Sequence, residues 1–394
     1  MIGLLQLHDH NMKIGVIKLG ARIMWETDAA VGPGEAISIC KALQQGGANV
    51  HVITKILTKD TLHPSLTWHN ILAVTQTELD ALDVLVVVNG NVNFFGGAED
   101  EAQITNYKVI NNFKGAVVYV MCDPELPLMQ IWDNVSGKEW GSKYHEADIK
   151  ITRTDIKVLS QPFAVDKVKE RWQKKKGAAP IGGVFHFPME RFPLLNAWLP
   201  AMTHPTVDLM YGGTTRGGRR IPNLYKWYVD LPVDLAVEIF GKIDADDFIK
   251  HPKVGAVIEA AGLTNGYAPH YPTFTGMVKY CDVLPKMNNA LAHLVTGDPS
   301  YEVLDIIPQR AMECIAAGNV VFVDANMDSS RRIYPSGLAN SFLYVSTRQE
   351  FIGKLLQLKA DPSLRLQLLQ SQMENTAWDA DKFCRSLVDV LKAA

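Results

Sequence analysis

The sequence has no long hydrophobic run, no paired-cysteine motif and no marked excess of either charge, and each absence narrows what the chain can be. Its longest apolar runs, such as Val84–Val88 and Ala116–Met121, suit buried strands and are too short to cross a membrane. No signal peptide is evident, so the expected location is the cytoplasm, with no membrane partner. The five cysteines, Cys40, Cys122, Cys281, Cys314 and Cys384, contain no CxxC pair; a scattered, odd set reads as reduced thiols. HExxH, a Cys/His cluster and GxSxG are missing as well, which leaves zinc hydrolysis and serine-nucleophile chemistry without support. The net charge of −3 gives no global attraction to a polyanion, so any nucleic-acid surface must be local. There are no internal repeats and no low-complexity tracts. His8 and His10 flank Asp9 ahead of Met12; a metal-binding tail is one reading, and a short polar leader before a first strand at Lys13 is the favoured one.

What is present is an ordinary globular balance, 47% apolar and 21% charged over 394 residues, enough for two or three domains with sizeable cores. The first half alternates strand and helix signals. Apolar runs at Ile14–Leu19, Asn49–Thr54, Val84–Asn89 and Ala116–Cys122 read as buried parallel strands, and segments near Glu35–Gln45 and Asp100–Asn112 as helices. Two further short strand signals lie in Asp148–Ser160, followed by the basic segment Asp166–Lys176. A second alternating block predicts strands at Val207–Tyr211, Leu235–Phe240, Leu291–Thr296 and Asn319–Asp324, with helices at Ile306–Ala317, Arg348–Lys359 and from Pro362 to the end. This rhythm predicts an α/β fold of two doubly wound units with a cleft between them, a common place for a ligand. The expected domains are 1–204, 205–375, and a terminal helix, 376–394, returning to the first.

Four constellations carry chemistry. Tyr211-Gly-Gly-Thr-Thr-Arg-Gly-Gly-Arg-Arg220 follows a strand; its glycines admit an anion to the backbone and its arginines match phosphate oxygens. Alone, it reads more simply as a glycine-rich turn with solvated arginines. Gly297-Asp-Pro-Ser-Tyr301 precedes a helix whose expected N-cap is Asp305, with Pro308 in its first turn and Gly318 after its end. Arg310 and Glu313 share one face of that helix, where a diphosphate and a ribose could be met; an ordinary intrahelical ion pair is the plainer alternative. Asp123 follows a buried strand, and a carboxylate there is either a general base or a turn residue. Glu35, after Gly32-Pro-Gly34, is either a sugar ligand or a helix N-terminal acid. Asn89-Gly-Asn-Val-Asn-Phe-Phe-Gly-Gly97 offers amides for base edges and a phenylalanine to wedge into a stack, or simply a turn with core aromatics.

Taken in order, these segments resemble the DNA β-glucosyltransferases of T-even bacteriophages. The strongest pieces are Val86-Val-Val-Asn89, Val92-Asn-Phe-Phe-Gly-Gly97, Asp123 with Leu126-Pro127, Ile156–Gln161, Tyr211-Gly-Gly213 with Arg216 and Arg220, and Gly297-Asp298 with Tyr301, Arg310 and Glu313. The resemblance starts at Met12 and runs almost to the C-terminus. It implies the GT-B architecture, two Rossmann-like domains facing across a cleft, and an inverting enzyme that moves a sugar from a UDP-sugar, UDP-glucose first, to 5-hydroxymethylcytosine in duplex DNA. On that basis Asp123 is the catalytic base. Arg216, Arg220 and Arg310 hold the diphosphate, Glu313 the ribose, and Gly276-Met-Val278 lies against the uracil. Gly213, Thr214, Asp298 and Tyr301 line the donor site, and Glu35 its sugar end. Asn93 and Phe95 meet the extruded nucleotide, Glu190 is a further acid, and Lys174, Lys175 and Lys176 belong to the DNA surface. Mg²⁺ or Mn²⁺ is the expected metal and a monomer the expected state in an infected bacterial host. The family has lysine where Met277 stands and serine where Asn91 stands, and 165–180 and 221–270 are longer or diverged. Another donor such as a UDP-pentose, 5-hydroxymethyluracil as acceptor, and a catalytically silent DNA-binding protein are the alternatives.

Overall fold

Strands buried on both faces need near-continuous apolar sequence, and the computed structural model places such runs at the centres of two fully parallel sheets. The structure describes residues 12–19, 23, 34–57, 62–88, 98–122, 151–160, 181–184, 205–215, 220–243, 246, 250, 269–297, 307–375 and 380–393. The chain divides into two units, one of Met1–Thr27, Val31–Glu190 and Trp378–Ala394, the other of Asp28–Ala30 and Arg191–Ala377.

The first unit contains β1 (Lys13–Lys18), α1 (Gly34–Gln45), β2 (Asn49–Thr54), β3 (Thr67–Asn70), α2 (Gln76–Asp80), β4 (Val84–Val88), α3 (Ala98–Asn112), β5 (Ala116–Met121), β6 (Lys157–Ser160) and β7 (Ile181–Val184). Its sheet runs β3-β2-β1-β4-β5-β6-β7. The order reverses between β1 and β4, and there the Leu19 amide donates to the Val88 carbonyl at 2.8 Å. Every residue of β4 is buried, as is all of β5 after Ala116.

The second unit contains β8 (Val207–Thr214), α4 (Ile221–Tyr228), β9 (Val237–Lys242), β10 (Thr273–Phe274), α5 (Tyr280–Asn288), β11 (Ala290–Val295), α6 (Gln309–Ala316), β12 (Val320–Asp324), α7 (Gly337–Leu343), β13 (Tyr344–Val345), α8 (Arg348–Ala360) and α9 (Pro362–Asn375). Its order, β10-β9-β8-β11-β12-β13, reverses between β8 and β11. The Tyr228 hydroxyl donates to Leu294 O at 2.7 Å beneath this point, and the Trp227 indole donates to Asp324 Oδ2 at 2.9 Å. The Arg348 guanidinium satisfies the carbonyls of Lys226 and Val229 at the end of α4, at 2.7 and 2.6 Å.

Two expectations are corrected. The helical segment expected from Pro362 to the end is divided into α9 and α10 (Ala380–Lys392), the division falling near the start expected for the terminal helix at 376, because the two serve different cores. Leu368, Leu369 and Gln372 of α9 are buried in the second unit, and the Gln372 amide group bonds Val321 N and Asn319 O of β12's edge. On α10, Ala380, Phe383, Cys384, Leu387 and Val390 form one buried stripe against the first unit. There Cys384 Sγ meets Ala42 O at 3.4 Å, and Lys157 Nζ donates to Ala393 O at 2.8 Å. The second correction is the start of α6. Pro308, extended at ψ 143, occupies the N-cap position and Gln309 is the first helical residue. A proline disfavours helical geometry in the residue before it, which moves the start past Asp305. Within 151–160 a single strand, β6, forms. None of the five cysteines is in a disulfide.

Candidate functional site

In parallel α/β units each helix that follows a strand begins at the carboxyl edge of the sheet, so loops and helix N-termini converge there. In the second unit, β8 ends in Gly213 and Thr214, both half-buried. Arg220, just ahead of α4, reaches back to this edge: its Nη1 lies 3.4 Å from the Tyr211 hydroxyl and 3.5 Å from Thr214 O. Asn223 on α4 donates to Gly297 O at 2.9 Å, tying the exit of β11 to the same place. The expected residues Gly213, Thr214 and Arg220 are thus brought together at the switch point between β8 and β11.

The neighbouring strand adds a glycine absent from the sequence-based set. Gly241 pairs with Gly213 in register, has φ +124, and donates its amide to Gly276 O at 2.7 Å. A Cβ at Gly241 would stand 1.9 Å from Gly213 O, so no other residue fits without moving β8 or β9. Gly276 itself has φ +74 and open space where a Cβ would be. It is exposed, as is Met277, and Val278 is half-buried. The Gly276-Met-Val278 backbone is accordingly open to a flat ligand.

On α6 every residue except Arg310 is buried. Arg310 and Glu313 form an ion pair at 2.6 Å, so the plain intrahelical pair named above does exist. Glu313 is nearly buried and the Arg310 side chain is one-third exposed. Behind it His293 on β11 is buried, with its pKa lowered to about 4 first by desolvation and then by the nearby Arg310 charge, against the Met287 carbonyl that it meets at 3.4 Å. Burial pushes the Cys314 thiol up to about 12, so it is an inert packing group.

In the first unit Glu35 lies in the first turn of α1, half-buried, and forms an ion pair with Lys18 at the end of β1. Lys18 was not in the sequence-based set. Asp123 lies outside the described residues, one position beyond Cys122, where the chain leaves β5. Also outside them are Arg216, Asp298, Tyr301, Asn93, Phe95, Glu190, Lys174, Lys175, Lys176, Arg219 and the leader histidines. Among the described residues no group of three or more His, Cys, Asp or Glu is placed to hold a metal ion, and no helix is long and apolar enough to cross a membrane.

Comparison with known proteins fits these geometries. The family model described as Bacteriophage T4 beta-glucosyltransferase matches residues 12–193. The DNA beta-glucosyltransferase of Enterobacteria phage T4 is 28% identical over 363 residues, covering 92% of this chain and 93% of that protein. Among solved structures, T4 phage BGT in complex with UDP and Mn²⁺ superposes with a TM-score of 0.68 at 26% identity, over 97% of this chain and 98% of the other. A mutant of that enzyme in complex with UDP-glucose gives 0.69 at 25% identity with the same coverage. With its two parallel sheets, the chain resembles the phage T4 DNA β-glucosyltransferase family over nearly its whole length and is a UDP-sugar-dependent DNA glycosyltransferase.

Proposed function

We propose that the chain transfers glucose from UDP-glucose to the hydroxymethyl group of 5-hydroxymethylcytosine in duplex DNA, with inversion at the anomeric carbon. The observation that carries the donor half is the second unit's carboxyl edge, where Gly213, Thr214 and Arg220 meet at a switch point. Arg310, one-third exposed beside Glu313, supports it from the N-terminal turn of α6. Guanidinium groups and helix N-termini suit a diphosphate, and the open Gly276 backbone suits a planar base. In this reading Arg216, Arg220 and Arg310 hold the two phosphates and stabilise the charge that develops on departing UDP. Glu313 accepts ribose hydroxyls, while Asp298 and Tyr301 complete the pocket. Mg²⁺ or Mn²⁺ would arrive on the diphosphate oxygens.

The acceptor half rests on Asp123 following β5. A nucleotide extruded from the duplex presents its primary alcohol, and Asn93, Phe95 and Glu190 surround it. Asp123 removes the hydroxyl proton as the oxygen attacks the sugar carbon and UDP leaves on the opposite face. The lysines at 174–176 meet phosphates and carry no sequence readout. The test is turnover of isotopically labelled UDP-glucose, UDP-pentoses and other UDP-sugars on DNA containing 5-hydroxymethylcytosine or 5-hydroxymethyluracil, read by mass spectrometry of digested nucleosides. A β-glucosylated hydroxymethylcytosine is the expected product. A pentosyl adduct, or reaction only with the uracil substrate, would replace the donor or acceptor named here, and no adduct with retained DNA binding would mark a silent binding protein.

A further inference from the structure

The first sheet carries a charged pair that its own folding does not require. Lys18 ends β1, and the residues around it, Ile14, Val16, Ile17 and Leu19, already supply the core. Its side chain is only 4% exposed, and its ammonium donates to Glu35 Oε2 across the β1–α1 crossover. Burying an ammonium is costly, and an apolar side chain would fill the position at lower cost. Two features show what the pair is placed for. It stands at the switch point, beside the Leu19 to Val88 hydrogen bond that joins β1 and β4, where open α/β sheets take ligands. Glu35 remains 27% exposed, and Lys18 occupies Oε2, while Oε1 has no hydrogen bond among the described residues.

We propose that Lys18 is a positioning residue for the donor sugar: it fixes the Glu35 carboxylate by one oxygen so that the other accepts the sugar's hydroxyls. The inference rests on the reading of Glu35 as the ligand at the sugar end. A carboxylate free to turn about its side-chain torsions must be ordered each time a sugar binds; one already held by a buried cation is ordered beforehand. The effect is confined to the sugar, because UDP without it has nothing to offer Glu35.

The experiment measures the affinities of the full-length protein for UDP-glucose and for UDP by calorimetry, and KM and kcat on hydroxymethylated DNA. It compares the parent with Lys18→Met, Lys18→Arg, Glu35→Gln and the double variant Lys18→Met/Glu35→Gln. Loss of one hydrogen bond to a charged group weakens binding by on the order of tenfold. Lys18→Met is expected to weaken UDP-glucose by about that factor with UDP unchanged, to raise KM more than it lowers kcat, and to be partly rescued by Lys18→Arg. The double variant is expected to be no worse than Glu35→Gln alone, since both act through one carboxylate. Parental UDP-glucose affinity in Lys18→Met, with Glu35→Gln impaired, overturns the role of Lys18. Parental affinity in Glu35→Gln overturns the assignment of Glu35 beneath it, and a parent protein that fails to bind UDP-glucose overturns the donor. Should Lys18→Met fail to fold, Lys18→Arg carries the test: weakened UDP-glucose with unchanged UDP supports the proposal, and parental affinity refutes it.

Discussion

The buried imidazole behind Arg310 ties the stability of the second unit to pH. His293 lies within β11, buried, its pKa lowered to about 4 chiefly by desolvation, with Arg310 adding repulsion. An unfolded histidine titrates near 6.5, so between the two values the unfolded chain binds a proton that the folded chain refuses. The stability contributed by keeping this ring neutral is therefore present above pH 6.5 and is lost as pH falls towards 4. At about 1.36 kcal/mol per pH unit the loss is about 2 kcal/mol at pH 5 and approaches about 3 kcal/mol below pH 4. His293→Gln keeps a neutral hydrogen-bonding group for the Met287 carbonyl and removes the titration. Urea unfolding at pH 7 and pH 5 is expected to show a parental drop in stability that the variant reduces by about 2 kcal/mol. Equal pH dependence in parent and variant would show that the ring charges freely in the folded state, and the desolvation argument would fail.

Arg310→Ala is expected to weaken UDP by roughly 1.5–3 kcal/mol, about ten- to a hundredfold, in a titration calorimeter; an unchanged affinity in a folded variant removes Arg310 from the donor site. Gly241→Ala is expected to destabilise the protein by at least about 1–3 kcal/mol in thermal or urea melts, because a positive-φ backbone and a carbonyl contact both oppose a Cβ; near-parental stability would contradict the observed packing. Asp123→Asn is expected to slow transfer by roughly 10²–10⁴-fold with UDP-sugar and DNA affinities kept, and near-parental turnover would move the base to Glu190 or Glu35. Neutralising Lys174, Lys175 and Lys176 should weaken binding to all DNA sequences alike and flatten its salt dependence; identical salt slopes would leave these lysines as a solvated surface run.

What the sequence revealed follows from burial. Strands covered on both faces must be continuously apolar, so β4 and β5 announced themselves, and β2 was expected with its observed bounds, Asn49–Thr54. Edge strands need no such pattern. β3 reads Thr-Trp-His-Asn, and β10 is two residues long. In β7 the pattern is erased for a packing reason: a Cβ at Gly182 would stand 2.9 Å from the Val390 side chain of α10. That contact joins residues over two hundred positions apart and has no local signature. At the site the same division holds. Arg310 and Glu313 were readable because helical spacing puts i and i+3 on one face. Gly241 was not, since its need for positive φ arises from the approach of Gly213 on another strand. Nothing in the run Ile14–Leu19 singles out Lys18; only the crossover through α1 brings it against Glu35.

The electrostatics of the two carboxyl edges explain how a chain with net charge −3 can handle two polyanionic substrates. Each described cation at a switch point is held by a local acceptor: Arg310 by Glu313, Lys18 by Glu35, and Arg220 by the Tyr211 hydroxyl and the Thr214 carbonyl. Such pairing cancels the far field, so neither edge acts as a general anion attractor. A guanidinium has five N–H groups in a rigid fork and can serve a carboxylate along one edge and a phosphate along another. On the proposed reading, Glu313 orients Arg310 as well as pairing with it, so the ordering cost is met by the folded protein before a diphosphate arrives. On the proposed reading, the guanidinium fork suits a phosphate, and a lysine, which offers no second edge, suits position 18, where a single carboxylate oxygen is fixed.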